Sequence, residues 1–116
     1  MNEAMKNLLT RRSVRKYKPG QITDEELRAV LEAGTYAPTA RGTQSPLIVA
    51  VQNAEDIALM SRLNAAVWGR ADFDPFFGAP TVIVVFAQAG NVNGVQDASL
   101  VMGNLLNAAH ALGLGS

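Results

Sequence analysis

The sequence predicts one domain of mixed helix and strand, and three observations lead there. Four segments carry apolar residues at helical spacing, two short runs are apolar at almost every position, and nothing along the chain is repetitive or low in complexity. A length of 116 residues suits one domain.

Taken in order, the first helix starts after Asn2 and offers Met5, Leu8 and Leu9 as its buried stripe. A basic stretch from Arg11 to Lys18 follows, and Pro19-Gly20 closes it as a turn. The second helix has the clearest start. Thr23 caps it, Glu26 completes a capping box three residues on, and Asp24 and Glu25 suit the positive end of the helix dipole. Leu27, Val30 and Leu31 form its apolar face, and Gly34 is a natural stop.

The connection from Tyr36 to Pro46 leads into Leu47–Val51, an apolar run that reads as a buried strand. Asn53 caps a third helix with Ile57, Met60 and Leu63 inward. A loop holding Trp68, Phe73, Phe76 and Phe77 ends at Gly78-Ala79-Pro80, and a second strand covers Thr81 to Ala87. The last helix runs from about Asp97, with Leu100, Val101, Leu105, Ala108 and Leu112 on one side and Gly113 as its stop. Two strands that are apolar on both faces do not make a stable sheet by themselves. The expectation is that another chain, or residues beyond Ser116, completes the sheet.

Composition removes several chemistries. There is no cysteine and one histidine, which excludes disulfides, thiol catalysis and zinc sites built on Cys or paired His, and leaves a serine triad only if His110 serves. No apolar run approaches the ~20 residues of a membrane helix. The start Met-Asn-Glu-Ala-Met-Lys is unlike a signal peptide, so a cytoplasmic protein with no membrane partner is expected. Net charge is zero but unevenly spread. Residues 1–18 hold six basic side chains against Glu3 alone, whereas residues 19–116 hold four basic and nine acidic ones. Such a pattern favours a localised anionic partner over a nucleic-acid surface, and a phosphate would suffice.

The sharpest motif is Arg11-Arg12-Ser13-Val14-Arg15, which offers guanidinium forks and a hydroxyl to one phosphate dianion. A solvated basic turn that helps the preceding helix's C-terminus fits the same residues, and local sequence leaves both open. The second motif is the loop Ala37 to Pro46, whose free backbone groups, small side chains and Gln44 amide could lie against a flat heterocycle; an ordinary connection is the simpler reading. Gly113-Leu114-Gly115 follows a helix, whereas a dinucleotide fingerprint follows a strand, so it is set aside. His110 reads as a packed structural histidine, Asp24/Glu25 and Asp72/Asp74 as helix-start and loop acids, and the phenylalanines as core or interface.

In order and spacing, RRSVRKYKP, YAPTARGTQSPLIVAV, FFGAPTVIVVFA and DASLVMGNLLNAAHALGLGS resemble the nitroreductase-like FMN-dependent oxidoreductases over essentially all 116 residues. The resemblance implies an α+β fold, with a mixed, largely antiparallel sheet flanked by helices, in an obligate homodimer that holds two FMN molecules at its interface. It implies that Arg11, Arg12, Ser13 and Arg15 hold the FMN phosphate. Pro38, Thr39, Ala40 and Gln44 match a loop that approaches the flavin ring from the other subunit, and Asn64 matches an asparagine at the pyrimidine edge.

The implied activity passes hydride from NADH or NADPH through FMN to a nitroaromatic, quinone or similar small-molecule acceptor. Chemistry on the flavin asks for no catalytic acid, base or nucleophile, and Arg15 is the candidate for a favourable cation near the cofactor. Gly42 stands where the family commonly has asparagine, and Ser45-Pro46 where it has Pro-Trp. The family also continues past Gly113-Leu114-Gly115-Ser116 with a strand, a flavin-contact loop, a basic residue and an arm, so a chain lacking that C-terminal part is expected. A non-enzymatic phosphate-ligand or flavin-binding module and an inactive truncated remnant are the competing classes.

Overall fold

Three of the four helices begin where a side chain accepts from otherwise free backbone N–H groups, as the computed structural model of residues 1–116 shows. Helix α1 (Glu3–Thr10) is capped by Asn2, whose side chain accepts from Met5 N at 2.9 Å. Helix α2 (Asp24–Thr35) has both arms of the expected box, Glu26 N to Thr23 Oγ1 at 3.0 Å and Thr23 N to Glu26 Oε1 at 2.9 Å. Helix α3 (Ala54–Trp68) starts with Asn53 Oδ1 accepting from Glu55 N and Asp56 N. Each such cap is worth ~1 kcal/mol, enough to fix a boundary.

Helix α4 (Gly94–Ala111) begins one turn earlier than the sequence suggests. Its N-cap Asn93 makes no side-chain cap bond, so the usual signal is missing. Gly94 marks the start instead, because a Cβ there would meet the Gln88 carbonyl oxygen at 2.8 Å.

Strands β1 (Leu47–Val51) and β2 (Val82–Phe86) pair antiparallel, with Ile48 opposite Val85 and Ala50 opposite Ile83. This α+β architecture has one sheet face against the helices: Ile48, Ile83 and Val85 pack on a core of Val30, Ala37, Val101, Leu105 and Ala109. The other face carries Leu47 opposite Phe86, and these remain 60% and 52% exposed. The Leu47–Phe86 end of that apolar face is therefore open, whereas Val82 at its other end is buried.

Several expectations need correction. Gly34 does not end α2; it lies inside the helix, buried, where a Cβ would come within 2.7 Å of Leu105 Cδ2 and 3.0 Å of Ile48 Cδ1. It is the contact that lets α2 lie close on α4, a bond from Asn104 Nδ2 to Ala33 O at 2.9 Å reinforcing it. Met5, Leu8 and Leu9 do not form a buried stripe, since α1 buries no residue and all three are exposed. Leu63 on α3, Leu100 within α4 and Leu112 just past its last residue are also exposed. Periodicity identified apolar faces correctly in kind but not what covers them. Ten of the 116 residues are buried, and much of the apolar surface is open.

Candidate functional site

Helix α4 organises both candidate motifs, one at each end. At its C-terminal end, α1 docks through Asn7 Nδ2 donating to Asn107 O at 2.9 Å and through Thr10 Oγ1 and His110 Nε2, also 2.9 Å apart. His110 is thus a docking residue on the helix surface. The chain leaving α1 then crosses the residues that follow α4. Val14 N donates to Ser116 O at 2.9 Å, and Gly115 lies so close that a Cβ would meet the Val14 side chain at 3.1 Å. Gly113, at φ 77°, makes the left-handed turn that sends the chain back toward Val14. The glycines set aside as a phosphate fingerprint have these roles.

Arg11, Arg12, Ser13 and Arg15 accordingly stand together in an extended segment past two helix C-termini. Arg12 uses its Nη1 on the carbonyls of Leu9 and Arg11, at 3.0 and 2.8 Å, and so helps close α1. Arg11 makes one long bond, 3.3 Å from Nη1 to Arg12 O, and its remaining donors are free. Ser13 and Arg15 are exposed and direct no side-chain donor at the chain itself. Tyr17 braces the segment, its hydroxyl donating to Val14 O at 2.9 Å. Burial pushes that phenol's pKa up, against the pull of the nearby Arg15 cation.

At the other end of α4 lies the loop of Pro38, Thr39, Ala40 and Gln44. It contains a 3₁₀ turn, Ala40–Gly42, that sequence alone did not suggest. The turn closes with Gly42 N donating to Thr39 O at 2.9 Å, and Gln44 N donates to Thr39 Oγ1 at 3.0 Å. Arg41 and Gln44 sit at φ 57° and 53°, left-handed backbone that side chains disfavour, so the turn is held rather than relaxed. Ala37 is buried in the core, and Ala40 N donates to Asp97 Oδ1 at 3.0 Å, which ties the turn to the first helical turn of α4.

Sequence reasoning saw Asp97 as a helix start and missed this tie. A signal was present: Asp97 is the only acidic or basic residue besides His110 after Asp74, and it lies among small and apolar neighbours.

Asn64 joins neither end. It is exposed on α3, and its Nδ2 donates back to Met60 O at 2.7 Å. The loop after α3 is closed by Asp74, which accepts from Ser61 Oγ, Phe76 N and Gly78 N. Burial acts to raise the Asp74 pKa, but those three bonds prevail and hold it below the usual carboxylate range. Trp68, Phe73 and Phe77 stack edge to face beside it, with the Arg70 guanidinium 4.6 Å from the Phe73 ring. Asp97 and His110 are separated by ~20 Å along α4 at ~1.5 Å per residue. The basic segment and the loop of one chain are therefore distinct donor sets on the same helix.

Comparison with known proteins gives this arrangement a family. The family model described as "Nitroreductase family" matches residues 8–75. A protein of Archaeoglobus fulgidus, provisionally named an NADH dehydrogenase/NAD(P)H nitroreductase, is 35% identical over 121 residues, covering 100% of this chain and 66% of that protein. An NADPH-flavin oxidoreductase of Vibrio harveyi is 30% identical, covering 99% of this chain and 52% of its own length. The chain thus spans between half and two thirds of these two relatives. Among solved structures, a nitroreductase with bound FMN from Bacteroides fragilis superposes with a TM-score of 0.90 at 26% identity, covering 97% of this chain and 67% of that one. With a family match over more than half of its length and the same fold in solved members, this chain belongs to the nitroreductase family.

Proposed function

We propose that this chain serves an FMN-dependent oxidoreductase that passes hydride from NADH or NADPH to a nitroaromatic, a quinone or a similar small acceptor. The observation that carries the reading is the pair of donor sets at opposite ends of α4: free arginine and serine donors at one end, a backbone-rich loop with small side chains at the other. FMN has a matching polarity, a phosphate dianion at one end and a flat heterocycle at the other. The residues fit it. Arg11, Ser13 and Arg15 have donors to offer the phosphate, and Thr39 and Ala40 are small enough to lie against a ring.

Bound FMN supplies the hydride chemistry itself. The chain's residues bind, orient and bias it. The arginines neutralise the phosphate through charge-assisted bonds, and the loop presents main-chain groups and the Gln44 amide to the ring edge. Asn64 is proposed for the pyrimidine edge.

A homodimer completes the site in this reading. A second copy related by a two-fold axis across α4 runs that helix antiparallel, so one copy's C-terminal end comes to the other's N-terminal end. Basic segment and loop then meet across the interface, twice per dimer. The face that α4 would use has room, because nothing lies within 4 Å of a Cβ at Gly103, and Leu100 is exposed beside it.

The full-length protein titrated with FMN should quench flavin fluorescence, stay yellow after desalting, and oxidise NADH or NADPH in the presence of a quinone or nitroaromatic. A protein that binds no FMN, or binds it without nicotinamide oxidation, contradicts the reading.

A further inference from the structure

The tie between the loop and α4 is made by an unusual group. Asp97 is 3% exposed, its Oδ1 accepts from Ala40 N at 3.0 Å, and its Oδ2 is buried with no hydrogen-bond partner. A buried carboxylate oxygen without a partner costs free energy, and an alanine or valine would fill the space without that cost. Complementing the helix dipole does not account for it, since an exposed acid in the first turn would do the same while remaining hydrated. With one bond made and one oxygen idle, the hydrogen bonding of this carboxylate is directed wholly at the Ala40 amide.

The turn it holds has reason to drift. Arg41 and Gln44 occupy left-handed backbone, and the other bonds within the turn are local: Gly42 N to Thr39 O, Thr43 N to Ala40 O, and Gln44 N to Thr39 Oγ1; the next long-range bond of the loop comes only at Ser45, whose Oγ accepts from Asn91 Nδ2 at 3.3 Å. The local bonds hold the turn's shape, and within Thr39–Gln44 the bond to Asp97 is the one that fixes its place on the fold. A charged acceptor makes a stronger bond than a neutral one, and burial strengthens it further.

We infer that Asp97 is a positioning residue, which acts through Ala40 to hold Thr39, Ala40 and Gln44 at the place where they meet a flavin ring. The flavin part of this inference rests on the function proposed above; the placement of the turn does not. Asp97 touches the loop and not the cofactor, so its removal should alter how the ring is bound more than whether the chain folds.

Two variants remove the bond from opposite sides. Asp97→Ala deletes the acceptor. Ala40→Pro deletes the donor, at a position that tolerates proline because Thr39 is extended at φ −131°, ψ 154°. Each should weaken FMN binding by about tenfold, the worth of one hydrogen bond to a charged group. Each should also shift the visible band of the bound flavin. The two together should weaken binding no more than either alone, because they remove one interaction. Asp97→Asn, whose carboxamide oxygen can still accept from Ala40, should restore affinity to within about threefold and return the wild-type spectrum.

Amide exchange at Ala40 in FMN-free protein reads the clamp directly, and Asp97→Ala should speed it by about tenfold relative to neighbouring amides. Unchanged exchange at Ala40, or Ala40→Pro binding FMN with wild-type affinity and spectrum, overturns the inference. Should Asp97→Ala fail to fold, Ala40→Pro and Asp97→Asn still decide it. If wild-type chain binds no FMN, the proposed function fails, and the exchange measurement alone supports or overturns the clamp.

Discussion

At the C-terminal end of α4 the chain presents side chains, and at the N-terminal end it presents backbone. The Arg11–Arg15 segment is extended, and most of its guanidinium and hydroxyl donors are uncommitted. The 37–46 loop has the reverse economy: Thr39 and Ser45 accept bonds within the fold, and two residues hold disfavoured backbone geometry. A cluster of long cations suits a mobile, strongly charged group that can be gripped from several directions. A fixed turn suits a rigid planar one, which rewards a surface set in place beforehand.

This contrast breaks first at the phosphate. Replacing Arg11 and Arg15 together by alanine should weaken FMN binding by more than about a hundredfold, at roughly ten- to a hundredfold per charge-assisted contact. The same variant should bind riboflavin, which has no phosphate, as the wild type does. Parallel fluorescence titrations with the two ligands measure this; equal losses for both would place the arginines at the ring or in the fold.

The structural support between the two ends should behave differently. Gly34→Ala forces a methyl against Leu105 and Ile48, and should destabilise the chain by about 1–3 kcal/mol in urea unfolding. Its preference for FMN over riboflavin should stay at the wild-type value. A changed preference would show that helix packing, not local chemistry, sets the ligand contacts.

Smaller effects sharpen the loop side. Arg41→Gly relieves left-handed backbone and should raise stability by roughly 0.5 kcal/mol after the added flexibility of glycine is counted. A shift of the urea midpoint to lower concentration would show that the turn is unstrained. The smallest effect concerns Asp74. Its pKa is lowered in the fold, so its contribution to stability is fully present above the unfolded carboxylate value of ~3.9 and disappears as pH falls through its lower folded value. Acid titration followed by Trp68 fluorescence should show this step in the wild type, and Asp74→Asn should lack it.

Much of this was legible in the chain itself, and the limits have physical causes. Thr23 with Glu26, and Asn53 before two acids, are local signals, and the helices start where they predict. Leu47–Val51 is apolar at every position, and its boundaries emerged intact. The Arg11–Arg15 cluster was visible because charge is visible. Gly34 was misread because a helix stop and a close helix contact ask for the same residue, and only the position of Leu105 distinguishes them. Met5, Leu8 and Leu9 show an apolar face, but a face does not name its cover. The 3₁₀ turn was hidden because Arg41 and Gln44 are not residues that advertise positive φ. Asp97 was hidden because its partner is a backbone amide 57 positions away.

The central claim is that the basic segment and the loop serving one FMN belong to different copies of the chain, and mixed dimers test it most directly. One variant carries Arg11→Ala with Arg15→Ala, the other Thr39→Ala with Gln44→Ala, and each alone should bind FMN poorly. Co-expressed and separated by distinct affinity tags, the mixed dimer has one site with both defects and one with neither. It should bind one FMN per dimer with wild-type affinity and recover nicotinamide-dependent turnover at about half the wild-type rate per dimer, since one of two sites is intact. Mixed dimers no better than either parent would place both halves of the site in one chain and contradict the account.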